Sequence, residues 1–229
     1  MKKLDDKKIC FITCVNDDFM YDECQFYLQR LDVPQGMSVE VLDVRGAASM
    51  TAGYQAAMDA SDAKYKIYLH QDSFIVNRNC LQEMLDIFVS QPKIGMIGVV
   101  GAVKLNRARP VWWENSTRCG KVYCKKSPEE IQLDVFGDFH GRFRYVAAVD
   151  GIFMATQYDL PWRSDLFADW HFYDISQSRE FIEHGYRVVV AGQKEPWLVH
   201  ACGRKIPGKP YDYNMKIFIE HYMRQGEVL

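Results

Sequence analysis

The segment KYKIYLHQDSFI runs an apolar stretch into His70, Gln71 and Asp72 before returning to Phe74 and Ile75. A carboxylate at the end of a strand is a hard oxygen ligand, suited to a divalent cation that also grips phosphate oxygens. The same residue can instead cap a turn, because Asp readily bonds nearby backbone. Three further segments carry groups that could join it. VAAVDGIFMAT sets Asp150 and Gly151 inside an apolar stretch, and FADWHFYDISQS places Asp169, His171 and Asp174 among Trp170, Phe172 and Tyr173. EPWLVHACGRKIPGK ends an apolar run at His200 and follows it with Arg204, Lys205 and Lys209. Taken singly, Asp174 reads as a helix N-cap and His200 as a hydrogen-bonded structural histidine. Taken together, they offer acid–base groups packed among aromatics, as removal of a proton from a sugar hydroxyl requires. They also put an imidazole beside a basic loop, the composition of a metal ligand next to a phosphate clamp.

Such groups act only where a scaffold brings them together. Residues 8–15 read as a buried strand, followed by a helix capped at Asp17 or Asp18 with Met20, Cys24, Leu28 and Leu31 on its apolar face. Pro34 and Gly36 close that unit. Residues 38–44 alternate as a second strand, 51–60 form an Ala-rich helix, and 64–69 a third strand. A capping box at Asn79 and Gln82 opens a helix over 79–90, and the uncharged run 95–103 reads as one buried strand. This alternation predicts an α/β fold with a mostly parallel, doubly wound sheet flanked by helices.

After Lys104 the pattern changes. Residues 105–143 are rich in Arg, Lys, Trp and Gly, with a helix start signalled by Ser127, Pro128 and Glu130, and read as an inserted, acceptor-facing region. Strands are expected over 144–149, 187–190 and 197–202, and helices over 174–184 and 213–224. The chain reads as one domain, 1–229, with a donor-binding half over 1–104 and an acceptor-side half over 105–229.

Composition narrows the function. A formal charge of −2 and no basic stripe exclude a protein that works by neutralising a nucleic-acid backbone. Hydrophobic residues make up 48% of the chain, enough for a sizeable core. Seven cysteines without a CxxC pair argue against a disulfide framework or a zinc ribbon, and so for reduced thiols. The start, MKKLDDKKIC, has no apolar run of signal-peptide length, and residues 94–103 are too short and Gly-rich to span a bilayer. A cytoplasmic protein is expected, with room for peripheral contact at the inner face of the membrane through the basic residues of 105–143.

Taken in order, the four segments resemble the GT-A glycosyltransferases, and more narrowly the family 2-like bacterial nucleotide-sugar transferases, over most of the chain. In that family the first strand and loop hold the nucleotide, matched here by FITCVNDD with Thr13 and Asn16; a small-residue helix follows, matched by SMTAGYQAAMDAS; and a DXD-like motif is matched by HQDSF. The resemblance implies a nucleotide-sugar site of Thr13, Asn16, Arg45, His70, Gln71, Asp72, Arg204 and Lys205. It implies Mn²⁺ or Mg²⁺ held by Asp72 and His200, Asp174 as catalytic base, and an acceptor site of Asp150, Gly151, Trp170 and His171. Trp112 and Trp113 are further candidates for stacking on sugar faces. The sequence departs from the family's pattern at His70, where an Asp is usual, and at Tyr173, where a Glu is usual.

The implied activity is metal-dependent, inverting transfer of a sugar, a UDP-sugar before others, to a saccharide or lipid-linked acceptor in bacterial polysaccharide synthesis. A homodimer fits this reading; a nucleic-acid partner does not. The alternative is a non-catalytic nucleotide-sugar or glycan-binding module on the same fold. A nucleotidyltransferase is disfavoured because no Gly-rich, basic phosphate loop follows the first strand.

Overall fold

The computed structural model describes residues 3–127, 129–201 and 209–223. Two strand–helix units open the chain: β1 (Asp5–Val15), α1 (Asp18–Leu28), β2 (Ser38–Arg45), α2 (Met50–Ala60) and β3 (Ala63–Leu69). Next come β4 (Ser73–Ile75), α3 (Cys80–Ser90), β5 (Ile94–Gly98) and β6 (Val100–Ala102). The remainder is β7 (Arg118–Ser127), β8 (Glu130–Phe136), β9 (Phe143–Tyr145), β10 (Ala148–Val149), β11 (Phe153–Thr156), α4 (Tyr173–Glu183), β12 (Arg187–Ala191), β13 (Leu198–His200) and α5 (Lys209–Tyr222).

The main sheet has the order β2-β1-β3-β11-β5-β12-β9. β1 runs parallel to β2 and β3. β11 opposes both β3 and β5, so β5 recovers the direction of β3; β12 follows β5, and β9 opposes it at the edge. The sheet is therefore mostly parallel, as expected. Along β1, Ile9, Phe11 and Val15 enter one apolar cluster while Cys10 and Ile12 enter another. This period-2 division explains the unbroken apolar run, because helices cover both faces. Residues of α1 and α3 fill the first cluster, and Tyr54, Ala57 and Met58 of α2 with Phe181 of α4 fill the second. Each large side chain so buried contributes roughly 1.5–3 kcal/mol by leaving water.

A second sheet, β10-β6-β7-β13-β4, packs beside the first, with β8 paired to β7. Here several expectations are corrected. The run 95–103 is two strands, not one: β5 belongs to the main sheet and β6 to the second, and the chain crosses at Val99. Gly120 fits against that crossing with φ +108°, where a Cβ would lie 2.2 Å from the Val99 carbonyl oxygen. Ser127 and Glu130 do not start a helix; they pair across the β7–β8 hairpin, and Pro128 lies outside the described residues. The alternation of Ile131, Leu133 and Val135 prevails over the capping signal. The expected strand over 144–149 is likewise two, β9 and β10, in different sheets.

Local signals otherwise act as read. Asp17 caps α1 by accepting from the Met20 N–H, and Ser49 caps α2 by accepting from the Ala52 N–H. The capping box of α3 does not form: the Asn79 side chain makes no cap bond, and Asn77 instead accepts from the Asn79 N–H and donates to Glu83. Cys10, Cys14, Cys24, Cys80 and Cys119 are unpaired thiols, and burial pushes those of Cys10, Cys14 and Cys24 up to about 12. No helix among the described residues is long and apolar enough to cross a membrane.

Candidate active site

Because β1, β2 and β3 run parallel, the turns after Val15, Arg45 and Leu69 open on the same edge of the sheet. Ligands of open α/β sheets bind at such carboxyl ends. A cleft of about 550 Å³ lies there, lined among others by Asn16, Gly46, Met50, His70, Gln71, Asp72, Trp170 and His171. A smaller apolar hollow of about 290 Å³ between α1, β2 and α3 holds no ionisable side chain.

The short strand β4, which sequence periodicity did not show, fixes the centre of this edge. It pairs antiparallel with β13, setting Ser73 opposite His200, and the Ala201 N–H donates to the Asp72 carbonyl at 2.8 Å. His200 is thereby carried across 128 positions of sequence to Asp72, with Nε2 3.4 Å from Oδ1. His70 Nδ1 lies 3.7 Å from the same oxygen. One ligand atom from each of His70, Asp72 and His200 lies within 4.8 Å of the others, a group able to hold a metal ion. Burial opposes the charge on Asp72, yet the His200 hydrogen bond and the charges of both imidazoles carry its pKa down to about 2. Asp72 is therefore an anion at any physiological pH.

A second group approaches from α4. The Tyr173 hydroxyl is hydrogen-bonded to His70 Nε2. Asp174, next in the chain, accepts from the Gly151 N–H at 3.2 Å and from the Ile175 N–H at 2.9 Å. Burial and the neighbouring Asp150 carboxylate outweigh these donors and raise Asp174 to about 7. Asp150 is also raised by burial, against the opposing pull of His200 and His70, and its Oδ1 accepts from the Ile152 N–H at 2.7 Å. A carboxyl poised near neutrality can take up a proton at working pH.

The turn into α4 is held by packing. Phe172 has φ +63°, a left-handed conformation that costs a non-glycine residue of order 1–3 kcal/mol. It is buried against Tyr211 and Phe218, so the aromatic contacts hold the backbone where Tyr173 and Asp174 face the strand ends. Gly151 provides the room: a Cβ there would lie 2.0 Å from the Tyr173 hydroxyl. Gly151→Ala is expected to displace that hydroxyl and to destabilise the protein by roughly 1–3 kcal/mol, measured by urea unfolding.

The other expected site residues fall out as follows. Gln71 accepts from the Asn16 and Asp17 N–H groups and donates to Asn16 Oδ1, tying the first loop to the end of β3. Arg45 lies beside the cleft and pairs with Asp18 and Asp43. Thr13 is fully buried in β1, so its side chain does not reach the cleft, which begins one residue later at Cys14. Trp170 is 44% exposed and lines the cleft, as does His171, whose ring packs edge-on against Tyr211. Trp112 is buried against Phe136 and unavailable for stacking on a ligand, while Trp113 is partly exposed. Arg204 and Lys205 lie outside the described residues.

Residues 10–222 match the model of a glycosyltransferase-like family. By sequence, no curated protein matches the chain. Among solved structures, the mannosyltransferase PcManGT of Pyrobaculum calidifontis, in complex with GDP-Man and Mn²⁺, is 12% identical with a TM-score of 0.53, over 90% of this chain and 58% of its own. Residues 1–349 of TarS from S. aureus, in complex with UDP-GlcNAc, are 9% identical with a TM-score of 0.54, over 89% and 60%. GalNAc-T7, with UDP, GalNAc and Mn²⁺, is 7% identical with a TM-score of 0.53, over 92% and 47%. At these identities the likeness is one of fold, and the chain spans 47 to 60% of each of these structures.

Proposed function

The chain belongs to this glycosyltransferase-like family, and on that premise we propose that it transfers a sugar from a nucleotide-sugar donor to an acceptor hydroxyl, with inversion and with a divalent cation. The observation that carries the proposal is the meeting of His70, Asp72 and His200 at the carboxyl edge of the sheet, with Asp174 joined to them through its neighbour Tyr173.

The three side chains suit a cation. Two imidazoles and one carboxylate favour a first-row transition metal such as Mn²⁺ over Mg²⁺, which prefers all-oxygen surroundings. A cation bound by His70, Asp72 and His200 would offset the charge that builds on the departing diphosphate. The nucleotide would lie in the cleft between Asn16, Gly46 and Asp72, where the turns after the parallel strands expose backbone. Two of the three neighbours described above carry uridine diphosphate groups, which makes a UDP-sugar the first donor to test.

Asp174 acts as the base. The acceptor oxygen forms its bond to the anomeric carbon as the bond from that carbon to the diphosphate breaks; the acceptor proton passes to Asp174 and the nucleoside diphosphate leaves. One such displacement inverts the centre. Its carboxyl near 7 matches this role, since a base tuned near the working pH combines availability with driving force. Trp170, exposed on the cleft wall, would hold the acceptor's sugar face, with His171 on the same cleft and Asp150 and Gly151 as further acceptor-side residues.

Thermal shift against a panel of nucleotide sugars with and without Mn²⁺, followed by assay of nucleotide release, tests this reading. Stabilisation by one donor that needs Mn²⁺, with slow release of its nucleotide, is the expected result. Binding with no hydrolysis or transfer would point instead to a non-catalytic nucleotide-sugar-binding module.

A further inference from the structure

The two positions at which the chain departs from the pattern it resembles, His70 and Tyr173, are 103 residues apart in sequence and in contact in space: the Tyr173 hydroxyl is bonded to His70 Nε2. The two ring nitrogens of His70 therefore have different neighbours. Nε2 faces Tyr173, and Nδ1 faces Asp72 Oδ1 at 3.7 Å. We propose that Tyr173 is a positioning residue for the cation site, holding His70 by Nε2 so that Nδ1 binds a divalent cation together with Asp72 and His200. This rests on the reading of those three residues as a cation site.

The surroundings of Tyr173 suit such a role. It is 5% exposed, its ring sits edge-on to Tyr54 at 5.9 Å, and its hydroxyl occupies the space above Gly151 that a Cβ would fill. The hydroxyl thus has little freedom to turn away from His70. A ligating imidazole whose other N–H donates to a fixed oxygen has its tautomer and ring angle set in advance, and loss of that partner typically lowers metal affinity about 10–100-fold. Tyr173 also opens α4 and immediately precedes Asp174. One hydrogen bond thereby joins the cation site to the helix turn that carries the proposed base.

The test is a double-mutant cycle in Mn²⁺ affinity, measured by titration calorimetry on the wild type, Tyr173→Phe, His70→Ala and the double variant. Tyr173→Phe keeps the buried ring and removes only the oxygen. It is expected to weaken Mn²⁺ binding about 10–100-fold in the wild-type background and to have no further effect once His70 is Ala. Equal losses in both backgrounds would mean that Tyr173 acts through the fold, and no loss in either would also overturn the proposal. Wild-type protein that binds no Mn²⁺ would remove the cation site and this inference with it; wild-type binding indifferent to Tyr173→Phe would remove the inference alone. Imidazole ¹⁵N NMR of the wild type loaded with Zn²⁺ gives a readout without any variant: a metal shift at His70 Nδ1 is expected, and one at Nε2 would overturn the assignment.

Discussion

Asp174→Asn is expected to lower turnover by roughly 10²–10⁴-fold while leaving Mn²⁺ affinity unchanged. The amide is nearly the same size but cannot take up the acceptor proton; its single oxygen can accept from only one of the Gly151 and Ile175 N–H groups, which bond different oxygens of the carboxylate. In the wild type the base works only when ionised. With Asp174 raised to about 7, the rate is expected to climb as pH rises through 7 and to level off above it. The residual activity of the Asn variant should show no such rise. Stability responds in the opposite sense. A carboxyl raised in the folded state is favoured there in its protonated form, so its contribution is fully present below the unfolded pKa near 3.8 and is lost as pH rises through about 7. The Asn variant lacks this dependence, so its Tm relative to wild type should rise as pH goes from 4 to 8. A variant that turns over normally, or a flat wild-type pH profile across this range, would remove Asp174 from the role of base.

Asp72→Asn is expected to weaken Mn²⁺ binding by more than about 100-fold, beyond the 10–100-fold typical of a lost supporting hydrogen bond, and to lower turnover in parallel. Asp72 is the only one of the three residues that brings a negative charge, and both imidazoles are arranged about its Oδ1. The Asn side chain retains an oxygen at the same place, so the change isolates charge from shape. Excess Mn²⁺ should restore part of the lost activity if the defect is in binding. Full, metal-independent activity in this variant would contradict the cation reading.

The units from β1 to β3 were legible because their signals are local. Asp17 and Ser49 cap their helices, and the buried alternation of Ile9 to Ile12 marks a strand covered on both faces. The elements missed are those whose identity depends on pairing partners. β4 has three residues and β11 four, too few to show a period, and both are strands only because of what lies beside them. The division of 95–103 at Val99 likewise depends on which sheet each half joins.

The candidate site divides in the same way. His70, Asp72, Asp174 and His200 could be picked out because each lies at or beside the end of an apolar strand or the start of a helix. The hydrogen bond between His70 and Tyr173 could not, since it needs the left-handed turn at Phe172 and the absence of a side chain at Gly151. Thr13 shows the limit of motif transfer: with both faces of β1 covered, a polar side chain within the strand is as buried as its apolar neighbours, and the cleft starts only where the strand ends.

The most direct measurement is anomalous diffraction at the manganese edge from crystals grown with Mn²⁺ and UDP. The proposed cation site predicts a single strong peak bound by His70, Asp72 and His200 and touching the diphosphate of a nucleotide lying in the cleft beside Asn16. A peak elsewhere, or UDP seated in the cleft with no metal at these three residues, would contradict it.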